Sequence, residues 1–487
     1  MNSIKIYKRY LYISITLLMV YSLAIYIYFI YQAIILDTVP LYSDEYGYSK
    51  SLENFLLNHT LASPFTLDEK YSQIGSFSFH GFSYTLFYGT LASILHTDSI
   101  MILNILMSVG TLSLILFIIE INTFNKILLI TLISTYFVFF LYSYSYMVEN
   151  IHLLASVTVT YLLYKIFLTH HKKYIATFVI IIFFLSVLRQ TWIFYLVALF
   201  FLERDKKSLS IYISIFFLGI TWVFADISLF HALYPNGFLY ILTHNTNNFL
   251  EMIITLLTHT KENLIMYFTN YVSLYYYLTK IFIVTLLMYL SYQGIKYKNN
   301  FFVGISIVGW VYFFSLLLFY DAFDWREHRS LAVIYISILL ALSLYKKHNI
   351  LYLLLGFHIV FLPSVIEHHQ VNRNYLYLAY TSNQTKDIEK IKKFNSISQL
   401  VVNNTKKKIL IAVDNNFTPM NFNKTLSTLP IQSTNNQIIR YSFSYFNTFD
   451  PLQTKASFLL TNKAYPNYNI VEKNKYFTLY RLGGKNK

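Results

Sequence analysis

The sequence predicts an all-α polytopic membrane domain of about eleven transmembrane helices with an outer interfacial helix, followed by a small C-terminal α/β extracytoplasmic domain. Three observations carry this. The 487 residues are 56% hydrophobic and only 13% charged, with a mean hydropathy of +0.46, outside the range of a water-soluble chain of this length. Apolar runs of roughly 17–25 residues, each long enough to cross about 30 Å of hydrocarbon as a helix, recur from residue 11 to residue 366. Beyond residue 367 they stop, and a polar, Asn- and Lys-rich segment follows. The chain has no cysteine, which excludes disulfides and thiolate metal sites.

The elements follow in order. Leu11 to Leu36 comes after Lys5, Lys8 and Arg9, is too long for a signal-peptide core and lacks a small-residue cleavage site, so it reads as a retained span with its N-terminus inside. Residues 37–99 then lie outside, with Lys50 and Lys70 against seven acids, Asp37, Asp44, Glu45, Glu53, Asp68, Glu69 and Asp98. If the short Gly81 to Leu95 run crossed, the basic clusters Lys172-Lys173 and Arg204 to Lys207 would face outward. Laid in the outer interface as a Tyr- and Phe-rich helix over Phe82 to Leu95, it leaves every later basic cluster inside. The remaining spans fall at about 100–119, 127–147, 150–167, 174–188, 191–202, 209–230, 275–294, 301–320, 331–345 and 350–366, those at 191–202 and 331–345 being short for a full crossing. Outer turns hold Glu149-Asn150 with His152, Arg189 to Trp192, a long segment from His231 to Asn270, and Asp321 to Arg329.

Residues 1–366 are thus one domain with a long outer loop at 37–99, and 367–487 a second. In the second, Gln384 to Val402 has helical spacing, while Lys408 to Val413, Ile438 to Phe446, Ala456 to Leu460 and Tyr476 to Leu482 read as strands. Its 17 Lys and Arg against 6 acids carry +11 of the chain's formal +15. Such a surface suits anionic headgroups or an anionic acceptor, and equally a merely solvated face.

Chemistry concentrates in the outer segments. Asp44 and Glu45 are adjacent carboxylates at the membrane surface; one would accept a proton from an acceptor hydroxyl or amine while the other orients it or binds a metal, or both simply form an acidic loop. Arg189, Arg326 and Arg329, the last two framing His328, suit a phosphate through their planar forks, or else anchor helix ends and pair with Asp324 and Glu327. His80 reads as a cap or a phosphate ligand. Glu149 and His152 flank a helix start, where an acid also complements the helix dipole, and Asp226 is an acid inside a span.

The inside N-terminus, the single span before an outer loop that opens on Asp44-Glu45, the interfacial helix entered through His80-Gly81, and the basic outer turn before a late span together resemble the GT-C superfamily of integral-membrane glycosyltransferases. The similarity is to the protein O-mannosyltransferase and lipid A aminoarabinose transferase group. The resemblance implies a catalytic acid at Asp44 with Glu45 beside it, a sugar donor on a polyprenyl phosphate or pyrophosphate, inversion at the anomeric carbon, and transfer at the outer face of the cytoplasmic membrane. Aminoarabinose transferases place Lys-Pro where this chain has His80-Gly81, a departure that bears on how the lipid phosphate is held. Expected partners are the polyprenyl-linked donor, a lipid, glycan or protein acceptor and membrane lipids, with no nucleic acid; the cofactor, if any, is a divalent cation such as Mg or Mn. Two other classes fit the same composition: a transporter or flippase of a lipid-linked glycan, and a non-catalytic subunit of a cell-envelope assembly. Transporters show two similar halves and broken mid-membrane helices, neither of which the sequence displays.

Overall fold

The computed structural model describes residues 2–35, 43–61, 65–67, 82–202, 206–229, 248–271, 273–319, 328–381, 410–413, 440–443, 458–461, 464–473 and 478–482. Helices dominate because backbone polar groups in hydrocarbon must be satisfied within the segment. Their order is α1 Asn2–Ile35, α2 Ser43–Asn58, α3 Ser83–Leu95, α4 Ile100–Ser113, α5 Thr123–Ser134, α6 Phe137–Tyr142, α7 Glu149–Thr169, α8 Lys172–Leu188, a 3-10 helix Gln190–Phe201, α9 Lys206–Leu229, α10 Phe249–Thr269, α11 Leu274–Lys296, α12 Asn300–Phe319, α13 His328–Leu344 and α14 His348–Thr381. Among the described residues seven helices are long and apolar enough to cross a membrane: Tyr10–Ile34, Ile100–Ile118, Glu149–Thr169, Lys206–Asp226, Leu274–Lys296, Asn300–Leu318 and His348–Glu367. The other expected spans correspond to shorter elements.

Two of these differ instructively from the sequence reading. The span expected at 127–147 is α5 and α6 with a break between them. Thr135 turns its hydroxyl onto the Thr131 carbonyl at 2.7 Å, and Tyr136 is extended. Local hydroxyl-to-backbone bonds of this kind compete with the helical ladder. His358 of α14 sits beside the break, 3.2 Å from Thr135 Oγ1 and 2.7 Å from Tyr335 Oη. The chain therefore does contain an interrupted helix, contrary to expectation.

The expected short span at 191–202 is twelve residues of 3-10 helix. At about 2.0 Å rise per residue it covers roughly 24 Å, where an α-helix of that length covers roughly 18 Å. Its burial follows the threefold period: Phe194, Val197 and Phe200 are partly exposed, and the two residues between them in each turn are buried. Trp192, Tyr195 and Ala198 stack along one buried edge.

At the centre lies α13, buried on every side from Ser330 to Leu344 and packed against α5, α7, α11, α12 and α14. Hydroxyls knit it to its neighbours: Ser156 of α7 donates to Val333 O at 2.6 Å, and Thr160 and Tyr195 both reach Ser337 Oγ at 2.8 Å. At one end of the bundle Lys165 meets Glu120 at 2.6 Å, holding that carboxyl below the usual range, Asn125 donates to Ser343 O and contacts His348, and Lys347 reaches Gln293. The opposite end carries the candidate site.

The long segment His231 to Asn270 contains α10, which was not anticipated; Asn263 in it donates to Leu317 O of α12. The first outer loop likewise contains an unanticipated helix, α2. Its partner α3 agrees with the expected interfacial helix to within a residue and, at 13 residues, spans roughly 20 Å.

Among the described residues six strands form one mixed sheet, ordered β1-β3-β2-β4-β6-β5: β1 Phe65–Leu67, β2 Leu410–Val413, β3 Arg440–Phe443, β4 Phe458–Thr461, β5 Asn469–Lys473 and β6 Thr478–Arg481. Strands β2, β3, β4 and β6 lie within or across the four expected windows. Strands β1 and β5 were not expected, and the Gln384 to Val402 helix lies outside the described residues. Strand β1 comes from the first loop and pairs in parallel with β3, Phe65 opposite Tyr441. Paired strands lie about 4.8 Å apart, so the first loop and the C-terminal sheet share one side of the membrane. An even number of crossings must separate them. The six candidate spans after the first satisfy this, as do the ten expected from the sequence, and one added crossing by α3 breaks either count. Helix α14 runs through residue 366, the expected domain boundary, without interruption.

Candidate functional site

The site is assembled around the turn Ser143–Val148, where α6 gives way to α7. Asn104, a lone amide in the apolar α4, donates from Nδ2 to Ser145 O at 2.8 Å and to Met147 O at 2.5 Å. Tyr88 of α3 donates to Asn104 Oδ1 at 2.8 Å, which fixes the direction of the amide. Ser108 holds Ser143 at 2.9 Å and Asn150 donates to Tyr142 O at 2.9 Å. Glu45, 1% exposed, accepts the Tyr146 N–H on Oε1 at 2.9 Å. The turn is largely buried, and these bonds satisfy its polar groups there.

Glu149 opens α7, directly after this turn, and is 3% exposed. Arg189, at the C-terminal end of α8, places Nη2 2.7 Å from Glu149 Oε2. Arg329, in the first turn of α13, places Nε 3.7 Å from Oε1. Each charge of the Arg189–Glu149 pair complements its own helix end, an acid at an N-terminus and a cation at a C-terminus. Burying charges is costly, and the shared carboxylate offsets part of that cost.

One helical turn along α7, the Trp192 indole N–H donates to His152 Nδ1 at 3.0 Å, while His152 Nε2 lies 2.8 Å from Tyr84 Oη. An indole only donates, so Nδ1 is the acceptor, Nε2 carries the hydrogen, and Tyr84 receives it. Tyr84 packs edge-on against Tyr48 of α2, one turn from Asp44.

The structure thus brings together Glu45, Glu149, His152, Arg189 and Arg329 from positions spread over nearly 300 residues of sequence. Asp44 lies in the first turn of α2 next to Glu45; its side chain is outside the described ones, as is that of His328, which begins α13. His80 and Arg326 lie outside the described residues. Asp226 sits near the end of α9, and no described hydrogen bond or ion pair joins it to the cluster. The arginines pair with Glu149, a partner neither sequence reading named. Among the described residues no three His, Asp or Glu side chains are grouped to hold a metal ion.

No protein-family model matches the chain, and no curated protein does. Among solved structures it is similar to the Archaeoglobus fulgidus oligosaccharyltransferase in its apo form, at 12% identity and a TM-score of 0.46, with 88% of this chain and 65% of that chain covered. The same enzyme in complex with Zn and sulfate matches at 12% identity and a TM-score of 0.44, over 82% and 58%. This chain spans less than two thirds of that enzyme's length. Likeness at this level says nothing of which reaction this chain performs.

Sequence reasoning missed Asn104, Tyr84 and Tyr88. Their signals were present: a single amide within the apolar Ile100 to Ile119 run, and two tyrosines four residues apart on one face of a short helix.

Proposed function

We propose that this chain is a GT-C type membrane glycosyltransferase that moves a sugar from a polyprenyl-phosphate-linked donor to an acceptor at the outer face of the cytoplasmic membrane. The observation that carries the reading is the anchoring of both halves of the required chemistry to one turn. Glu45, and with it the start of α2, is tied to Tyr146, while Glu149 three residues on gathers Arg189 and Arg329. A base and a phosphate-binding pair so placed suit displacement at an anomeric carbon.

In the reaction the acceptor hydroxyl or amine attacks the anomeric carbon as the bond from that carbon to the phosphate oxygen breaks, inverting the centre. Asp44 takes the acceptor's proton, and the phosphate leaves with the bonding electron pair. Arg189 and Arg329 are matched to the charge that grows on the departing oxygen, where fixed cations contribute most. Buried Glu45 is a positioning residue that fixes the start of α2. The basic C-terminal region, at +11, is assigned to the acceptor side of the reaction or to anionic headgroups.

A transporter of a lipid-linked glycan is the competing reading, favoured by the α5–α6 break with His358 and Tyr335 beside it, since broken helices mark transporter sites. Asp44→Asn separates the two. An enzyme keeps donor binding and loses roughly 100- to 10,000-fold in turnover, the usual effect of removing a general base. A transporter moves lipid unchanged, and that outcome rejects the assignment of Asp44.

A further inference from the structure

Glu149 is a carboxylate at the one place where the reaction above needs an anion's attraction to be strongest. Its two oxygens face different guanidiniums, Oε2 at 2.7 Å from Arg189 Nη2 and Oε1 at 3.7 Å from Arg329 Nε. Its backbone is fixed on both sides, by the Asn104 bond to Met147 O and by the Asn150 bond to Tyr142 O. The buried Glu149 carboxylate thus lies against both arginines, its helix start held by these bonds. Each guanidinium carries five N–H donors, more than the two oxygens of Glu149 take up. Any phosphate recruited by the same two side chains binds within several ångströms of a fixed like charge.

That repulsion falls unequally on donor and product. A sugar-linked phosphate is esterified on both sides; once the sugar has left, the phosphate gains an ionisable oxygen whose proton is lost near neutral pH. The product thus carries more negative charge than the donor beside the same carboxylate. We propose that Glu149 limits the grip of Arg189 and Arg329 on the phosphate and thereby drives release of the polyprenyl phosphate product. This rests on the reading that those arginines meet the lipid phosphate.

The test is the affinity of a short-chain polyprenyl phosphate for the full-length chain in lipid nanodiscs, with melting temperature followed alongside. E149Q keeps the shape and an oxygen for Arg189 while removing the charge, and is expected to bind this lipid about 10- to 100-fold more tightly, as loss of a nearby like charge at intermediate dielectric allows. E149D draws the charge back by one methylene and is expected to shift affinity the same way by a smaller factor; it serves if E149Q does not fold. A carboxylate that merely holds the arginines in place gives the opposite sign, because releasing them weakens the phosphate site. Unchanged or weaker binding by a folded variant overturns the proposal. R189A and R329A report separately: wild-type affinity in both removes the lipid-phosphate site itself, whatever Glu149 does.

Discussion

Glu45 shows how one side chain acts on the site without touching the reacting atoms. Its buried carboxylate accepts a backbone N–H, and leaving such a donor unmet costs roughly 1–3 kcal/mol. Glu45→Ala is therefore expected to lower the stability of the chain by about that amount, measured by thermal unfolding in detergent, whereas Glu45→Gln keeps an acceptor oxygen and costs less. Equal losses would mean that charge, not the hydrogen bond, holds the turn. At this scale position and charge single out Glu45, Glu149, His152, Arg189 and Arg329, and the fold gathers these five side chains at one end of the bundle. Their pairing was not legible, because Glu149 lies 40 residues from Arg189 and 180 from Arg329, and only the fold brings such positions together. Asp324 and Glu327, the partners that sequence proximity suggests for Arg329, are its near neighbours in the chain for the same reason.

Among elements, the sequence spoke where its pattern was mixed and was silent where it was uniform. Helix α3 agrees with the sequence to within a residue because its short Tyr- and Phe-rich run is bounded, and the basic clusters after it exclude a crossing. The 3-10 helix could not be read, since Gln190–Phe201 is apolar on all faces after its first two residues and shows no period. The break after Ser134 had a signal in Ser134-Thr135, overlooked inside a long apolar run. Close helix packing gives a comparison that checks the arrangement. A Cβ at Gly294 of α11 would lie 2.8 Å from the backbone nitrogen of Val303 in α12, which cannot give way; one at Gly219 of α9 would meet the end of the flexible Ile193 side chain. Gly294→Ala is expected to destabilise by roughly 1–3 kcal/mol, the usual cost of overpacking, and Gly219→Ala by less, read as the difference in melting temperature. The reverse order would contradict the close approach of α11 and α12.

For the whole molecule, the pairing of β1 with β3 is the strongest constraint, because it joins a loop before the second span to the C-terminal sheet. The absence of cysteine gives labelling experiments a clean background. Thr66→Cys and Ser442→Cys stand opposite each other in the register, so both are expected to react with a membrane-impermeant maleimide from the same side, and Lys298→Cys, in the turn between α11 and α12, from the other. Labelling of Thr66→Cys and Ser442→Cys from opposite sides would break the sheet and the even count of crossings. The proposed function requires that the acid pair, the arginines and the basic C-terminal region meet one lipid-linked substrate on that shared side. That claim is tested most directly by whether a bond is broken. The full-length chain in liposomes, given sugar-charged polyprenyl phosphate and an envelope extract as acceptor source, is predicted to release free polyprenyl phosphate, with release slowed roughly 100- to 10,000-fold in Asp44→Asn. Movement of intact donor across the bilayer with no polyprenyl phosphate formed, in wild type and variant alike, would contradict it.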